Sequence, residues 1–125
     1  MPTLVDTCGW IEWLTDGKLA DDFAAALLAT DELIVPTSVQ FELYKWVRRE
    51  RGESMALEAV ALTERGQVVP LSTAIALLAG DYAIDYKLSF ADAIIYATSR
   101  QQRALLLTSD DHFKGLPEVR YIPKP

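Results

Sequence analysis

Five short apolar runs punctuate this chain, each divided from the next by residues at helical spacing. They are PTLVD at the start, Glu32–Pro36, Gln67–Leu71, Ala104–Thr108 and Val119–Ile122. Runs this short and continuously apolar suit strands buried on both faces. Between them, apolar residues recur every three or four positions. Trp10, Ile11, Trp13 and Leu14 share one side of a first helix, which Asp6 or Thr7 can cap. Leu19, Phe23, Ala26 and Leu27 share another, after the turn Thr15-Asp16-Gly17. Short strands alternating with helices define right-handed βαβ units and a parallel sheet covered on both faces.

Local signals place the remaining helices. Thr37 reads as an N-cap with Gln40 three residues on as a capping box. The helix beyond it turns Val39, Leu43, Trp46 and Val47 inward and ends in the charged stretch RRERGE, with Gly52 as its stop. The next spans about Ser54–Arg65 and ends at Gly66. Ser72 or Thr73 opens a helix to about Tyr86, and Ser89 opens one to about Arg103. Asp110–Lys114 reads as a short helical turn.

The length, 125 residues, fits a single domain over 1–125 with a real core. No apolar run is long enough and uncharged enough to span a bilayer. MPTLVDTCGW lacks the basic and apolar regions of a signal peptide. Cys8 is the only cysteine, so no internal disulfide forms, and a cytoplasmic setting is expected. Cys8 reads as a small packed side chain beside Asp6. The net charge of −6 argues against coating DNA nonspecifically and suits a basic protein partner.

The chemistry lies in four acids at one structural phase. Asp6 follows the first strand, Glu42 and Asp92 fall on the first turns of helices, and Asp110 follows LLLTS. Ligands of open α/β sheets bind beyond the carboxyl ends of the strands, so these acids share an edge. Carboxylates gathered at one spot repel unless a cation lies among them. Hard divalent ions such as Mg²⁺ prefer such oxygens and retain room for phosphates. Each acid also has a plainer explanation. Asp6 and Asp110 are good N-caps, although Asp111 can cap in place of Asp110. Glu42 can be a solvated side chain near a helix N-terminus and Lys45. Asp92 completes a Ser-x-x-Asp capping pattern, yet FADAIIYA around it is apolar nearly all round. Thr108 and Ser109 can supply hydroxyls to water or phosphate.

The stretches LVDTCGWIEWL, VPTSVQFELYKW, KLSFADAIIYATSR and LLLTSDDHFKGL, in this order, resemble PIN-domain nucleases over essentially the whole chain. The likeness is strongest to the toxins of VapBC-type toxin–antitoxin pairs. It implies a three-layer α/β/α sandwich with a mostly parallel sheet of about five strands. It implies that Asp6, Glu42, Asp92 and Asp110 form an acidic quartet binding Mg²⁺ or Mn²⁺, with Thr7 and Thr108 as supporting residues. It further implies cleavage of RNA, a homodimer, and silencing by a small VapB-like antitoxin. Cys8 departs from the small polar residue common in relatives. The frame Thr108-Ser109-Asp110-Asp111-His112-Phe113 selects Asp110 over Asp111.

The mechanism expected is metal-assisted hydrolysis of an RNA phosphodiester, with Asp6, Asp92 and Asp110 as ligands and Glu42 completing the shell or orienting water. A lone histidine rules out two-histidine acid–base chemistry within one chain. His112 either touches the scissile phosphate or packs its turn, with packing favoured. Lys45, Arg48, Arg49 and Arg51 either follow an RNA backbone or form a solvated face. Trp10, Trp13 and Trp46 are better placed for core or dimer contact than for stacking bases. Trp10, Trp13 and Leu14 can offer a groove to an amphipathic antitoxin helix, from which a basic side chain can enter the acidic pocket. A phosphoacceptor receiver domain is a poor fit, because Asp6 stands alone and Lys114 is misplaced. The remaining alternative is a non-catalytic PIN-fold module that binds RNA or a partner.

Overall fold

Strand β1 (Thr3–Val5) is the middle of a five-stranded sheet, and everything at the site is positioned from it. The computed structural model describes Met1–Pro125. After β1 come α1 (Thr7–Leu14), α2 (Ala20–Leu28), β2 (Leu33–Pro36), α3 (Thr37–Arg51), α4 (Glu53–Thr63) and β3 (Gln67–Val69). Then follow α5 (Thr73–Tyr86), α6 (Phe90–Gln101), β4 (Leu105–Thr108) and β5 (Val119–Tyr121). Single 3₁₀ turns occupy Thr30–Glu32 and Asp111–Phe113. The strand order is β3-β2-β1-β4-β5 and every pairing is parallel, in a PIN-like α/β/α sandwich.

That order sets the location of the crevice. The chain lays β2 and β3 outward from one flank of β1, then crosses through α5 and α6 to place β4 on the other flank. The direction of winding reverses between β1 and β4, and such a switch point opens a crevice beyond the carboxyl ends of the strands. Val5 is registered with Leu107, so Asp6, just past β1, and Thr108, the last residue of β4, come out side by side.

One cluster of 28 buried apolar residues holds the layers together. The sheet contributes Leu4, Val5, Ile34, Val35, Leu106 and Leu107, while Trp10, Phe23, Leu43 and Ile95 enter from the helices. Helix α6 is buried from Ala93 to Ser99, as its all-round apolar sequence requires. Helix α1 lies close on its neighbours because Gly9 has no Cβ: one placed there would come within 2.6 Å of Phe23 and Val5. Trp10 is buried and Trp13 and Trp46 are half-buried, which agrees with an apolar role.

Most helix ends follow the local signals in the sequence. Ser72 caps α5 by accepting from the Ile75 N–H, and Ser89 caps α6 by accepting from the Asp92 N–H. Gly52 ends α3 at φ 91°, a conformation that favours glycine. The capping box at Thr37 is not formed. Pro36 occupies the cap position, and no side chain caps α3. Gln40 reaches instead to the Thr63 hydroxyl at 3.0 Å and to Glu64 at 3.2 Å, tying α3 to the end of α4. No helix is long and apolar enough to cross a membrane.

Candidate active site

Asp6 is the first residue beyond β1, extended at φ −62° and ψ 158°, and it caps α1. One carboxylate oxygen accepts the Thr7 N–H at 2.7 Å; the other accepts the Thr108 hydroxyl at 2.8 Å. Capping and facing the crevice therefore coexist. The side chain is only 5% exposed. Burial pushes its pKa up to about 6, against the lowering effect of the Thr108 and Thr7 hydrogen bonds, and the nearby charges of Glu42 and Asp110 raise it further.

Two threonine hydroxyls join the other acids to Asp6. Thr7 donates to Glu42 at 2.8 Å, which fixes a carboxylate one turn into α3. Thr108, while donating to Asp6, accepts the Asp110 N–H at 2.9 Å. Cys8 fills the space between them, its sulfur 3.6 Å from both Asp6 and Thr108. The Ser109 hydroxyl donates to that sulfur at 3.3 Å, so it faces Cys8. Burial and the Asp6 charge push the thiol's pKa up, leaving it a packed, protonated side chain.

Asp92 and Asp110 meet on His112. The imidazole Nδ1 lies 3.0 Å from Asp92 Oδ2 and 3.4 Å from Asp110 Oδ1. Asp110 also caps the following 3₁₀ turn by accepting the His112 N–H at 2.9 Å. The alternative in which Asp111 caps and releases Asp110 is thereby corrected, though capping uses only one oxygen of Asp110. The favoured packing role for His112 is corrected as well: Phe113 is the buried residue of the turn, while the histidine side chain is 68% exposed. The hydrogen bond to Asp92, followed by the charges of Asp110 and Asp92, raises the imidazole pKa. The histidine–acid trio was missed; its only sequence signal was a histidine two residues past Asp110.

The quartet is thus a continuous network: Glu42 to Thr7 to Asp6, then Thr108, Asp110, His112 and Asp92. At one end of it, ligand atoms from Asp92, Asp110 and His112 all lie within 4.8 Å of one another. His112 makes the only ion pairs in the fold, and no lysine or arginine neutralises an acid of the quartet. A buried carboxylate held beside further acids, without a basic partner, is a donor set that fits a hard divalent cation. Arg48 and Arg49 are not part of this network. They line a shallow exposed hollow on α3 with Phe41, Tyr44 and Lys45.

The sequence matches the PIN domain over residues 3–119. The chain belongs to the PIN-domain family. Among solved structures, a toxin–antitoxin complex from Klebsiella pneumoniae superposes with a TM-score of 0.79 at 23% identity, covering 96% of this chain and 99% of that one. DNA-bound VapBC from Salmonella typhimurium superposes at 0.77 and 15% identity, covering 98% of each chain. The sarcin–ricin loop cleaving toxin VapC20 of Mycobacterium tuberculosis superposes at 0.73 and 21% identity, covering 94% of this chain and 96% of that one. No curated protein matches the sequence.

Proposed function

We propose that the protein is a metal-dependent endoribonuclease and the toxin of a type II toxin–antitoxin pair. The observation that carries this reading is the gathering of Asp6, Glu42, Asp92 and Asp110 at the switch point with no lysine or arginine among them. Asp6, Asp92 and Asp110 would hold Mg²⁺ or Mn²⁺, which would offset charge on the phosphoryl oxygens and make a water more acidic. Glu42 orients that water, and Thr7 fixes Glu42 in turn. Thr108 aligns Asp6 with the backbone of Asp110, and Ser109 packs Cys8 beneath them. Arg48 and Arg49 lie farther along α3, where they bind the phosphates of a longer RNA. The test is incubation of purified protein with structured ribosomal RNA in Mg²⁺, Mn²⁺ or chelator. Cleavage that needs the cation supports the reading, and cleavage unaffected by chelator overturns it.

The antitoxin is expected in an apolar groove. Leu14 of α1, Trp46 of α3, and Met55, Ala59 and Leu62 of α4 line it. The adjoining hollow holds Trp10, Trp13 and Leu27. Met55→Asp puts a charge in this groove at a half-exposed position. Binding of the product of a neighbouring short reading frame is expected to weaken by about tenfold or more, a loss of ~1.4 kcal/mol. RNA cleavage should stay unchanged; undiminished binding by calorimetry would exclude the groove.

A homodimer accounts for another surface. Leu77 and Ile84 on α5 and Phe90 at the start of α6 are 69%, 79% and 80% exposed. Ile84→Lys together with Phe90→Lys is expected to halve the mass measured by light scattering. A wild-type monomer at all concentrations would dispose of this dimer.

A further inference from the structure

We propose that His112 is itself a metal ligand, giving this acidic centre a nitrogen donor that favours Mn²⁺ over Mg²⁺. The inference rests on the metal-binding reading above and specifies the ion that the centre prefers.

The argument is geometric. Around an octahedral ion with bonds of about 2.1 Å, adjacent donors lie about 3 Å apart and opposite donors about 4 Å. Nδ1 of His112 is 3.0 Å from the Asp92 oxygen and 3.4 Å from the Asp110 oxygen. Those two separations fit adjacent donors, and with all three ligand atoms within 4.8 Å of one another, a closing of the two carboxylates by about half an ångström brings them onto one ion. The ring's position is also set. Asp110 holds the His112 N–H at 2.9 Å, and the buried ring of Phe113 anchors the same turn. A crevice floored by Asp92 and His112 and bordered by Tyr86, Lys87, Leu88 and Ser89 leaves the position open to solvent. Lys87 makes no ion pair with either acid.

The donor chemistry then decides the preference. A neutral imidazole that carries its hydrogen on Nε2 offers the Nδ1 lone pair. Imidazole suits transition metals, whereas Mg²⁺ seeks oxygen and keeps its waters. Two carboxylates and one imidazole therefore discriminate in a way that carboxylates alone do not. The competing roles for His112 are a simple counter-charge for the two acids and a contact from Nε2 to RNA phosphate.

His112 is the only histidine in the chain, so any histidine nitrogen signal from untagged protein belongs to it. The experiment loads the full chain with Mn²⁺ alone and measures nitrogen coupling by pulsed electron paramagnetic resonance. Calorimetry with Mn²⁺ and with Mg²⁺ follows on wild type and His112→Gln. Expected are a nitrogen coupling in wild type, its loss in the variant, and a fall of about tenfold in Mn²⁺ affinity against little change for Mg²⁺. The position is exposed, and an unchanged thermal unfolding curve verifies the fold. Bound Mn²⁺ without nitrogen coupling, or equal Mn²⁺ affinity in the two proteins, overturns the ligand role and leaves the nuclease reading standing. Failure of wild type to bind either ion overturns both.

Discussion

Asp92→Asn, Asp110→Asn and Asp6→Asn each slow RNA cleavage by roughly 10²-fold or more, the scale on which lost electrostatic stabilisation of a transition state is felt. The substitution keeps the shape of the side chain and removes the charge. Asparagine caps a helix as well as aspartate does, so the caps at positions 6 and 110 persist. Circular dichroism should therefore be unchanged, and the effect can be assigned to the site. The same variants should lose the growth arrest caused by induced wild type. Cleavage at wild-type rate in all three would remove the catalytic proposal. Protein that cuts no RNA with Mg²⁺ or Mn²⁺, while Asp6→Asn still arrests growth, would favour the non-catalytic binding module.

Asp6→Asn is expected to stabilise the metal-free protein at neutral pH even as it slows cleavage. In the fold, the Asp6 carboxyl titrates at about 6 instead of 3.8. The native state therefore binds this proton more tightly than the unfolded chain does. The group favours folding fully below pH 3.8, loses that effect as pH rises to about 6, and is constant above. At ~1.4 kcal/mol per pH unit, the loss is on the order of 3 kcal/mol. Asparagine has no such titration. In chelator, the urea midpoint of wild type should fall between pH 4 and pH 7 relative to that of Asp6→Asn. Mn²⁺ at pH 7 should raise the wild-type midpoint more than the variant's. Parallel pH profiles would contradict this account.

Much of this architecture was legible because its signals are local. Continuous apolar runs located every strand, and Ser72, Ser89 and Gly52 marked helix ends by chemistry confined to their own turns. The failures share a cause, which is competition from residues distant in sequence. Gln40 was available to a capping box until α4 brought Thr63 and Glu64 within reach. His112 belonged to a packed turn until α6 presented Asp92, twenty residues earlier, to its ring. The acids were identifiable as a set because the switch-point rule converts phase in the sequence into position on the sheet. The hydroxyl bridges were not, since Thr7 and Thr108 look like ordinary cap and strand residues until the strands align.

The placement of β4 between β1 and β5 has a consequence for biosynthesis. Asp6 leaves the ribosome early, but its partner Thr108 emerges only after most of the polypeptide has been made. A nascent chain that stops short of Leu105 lacks both the strand that closes the middle of the sheet and Asp110 beyond it. Fragments that stop there cannot assemble the acidic network, which only a nearly complete chain brings together. Induction of residues 1–104 alone, with growth unimpaired, is the outcome this order of assembly requires.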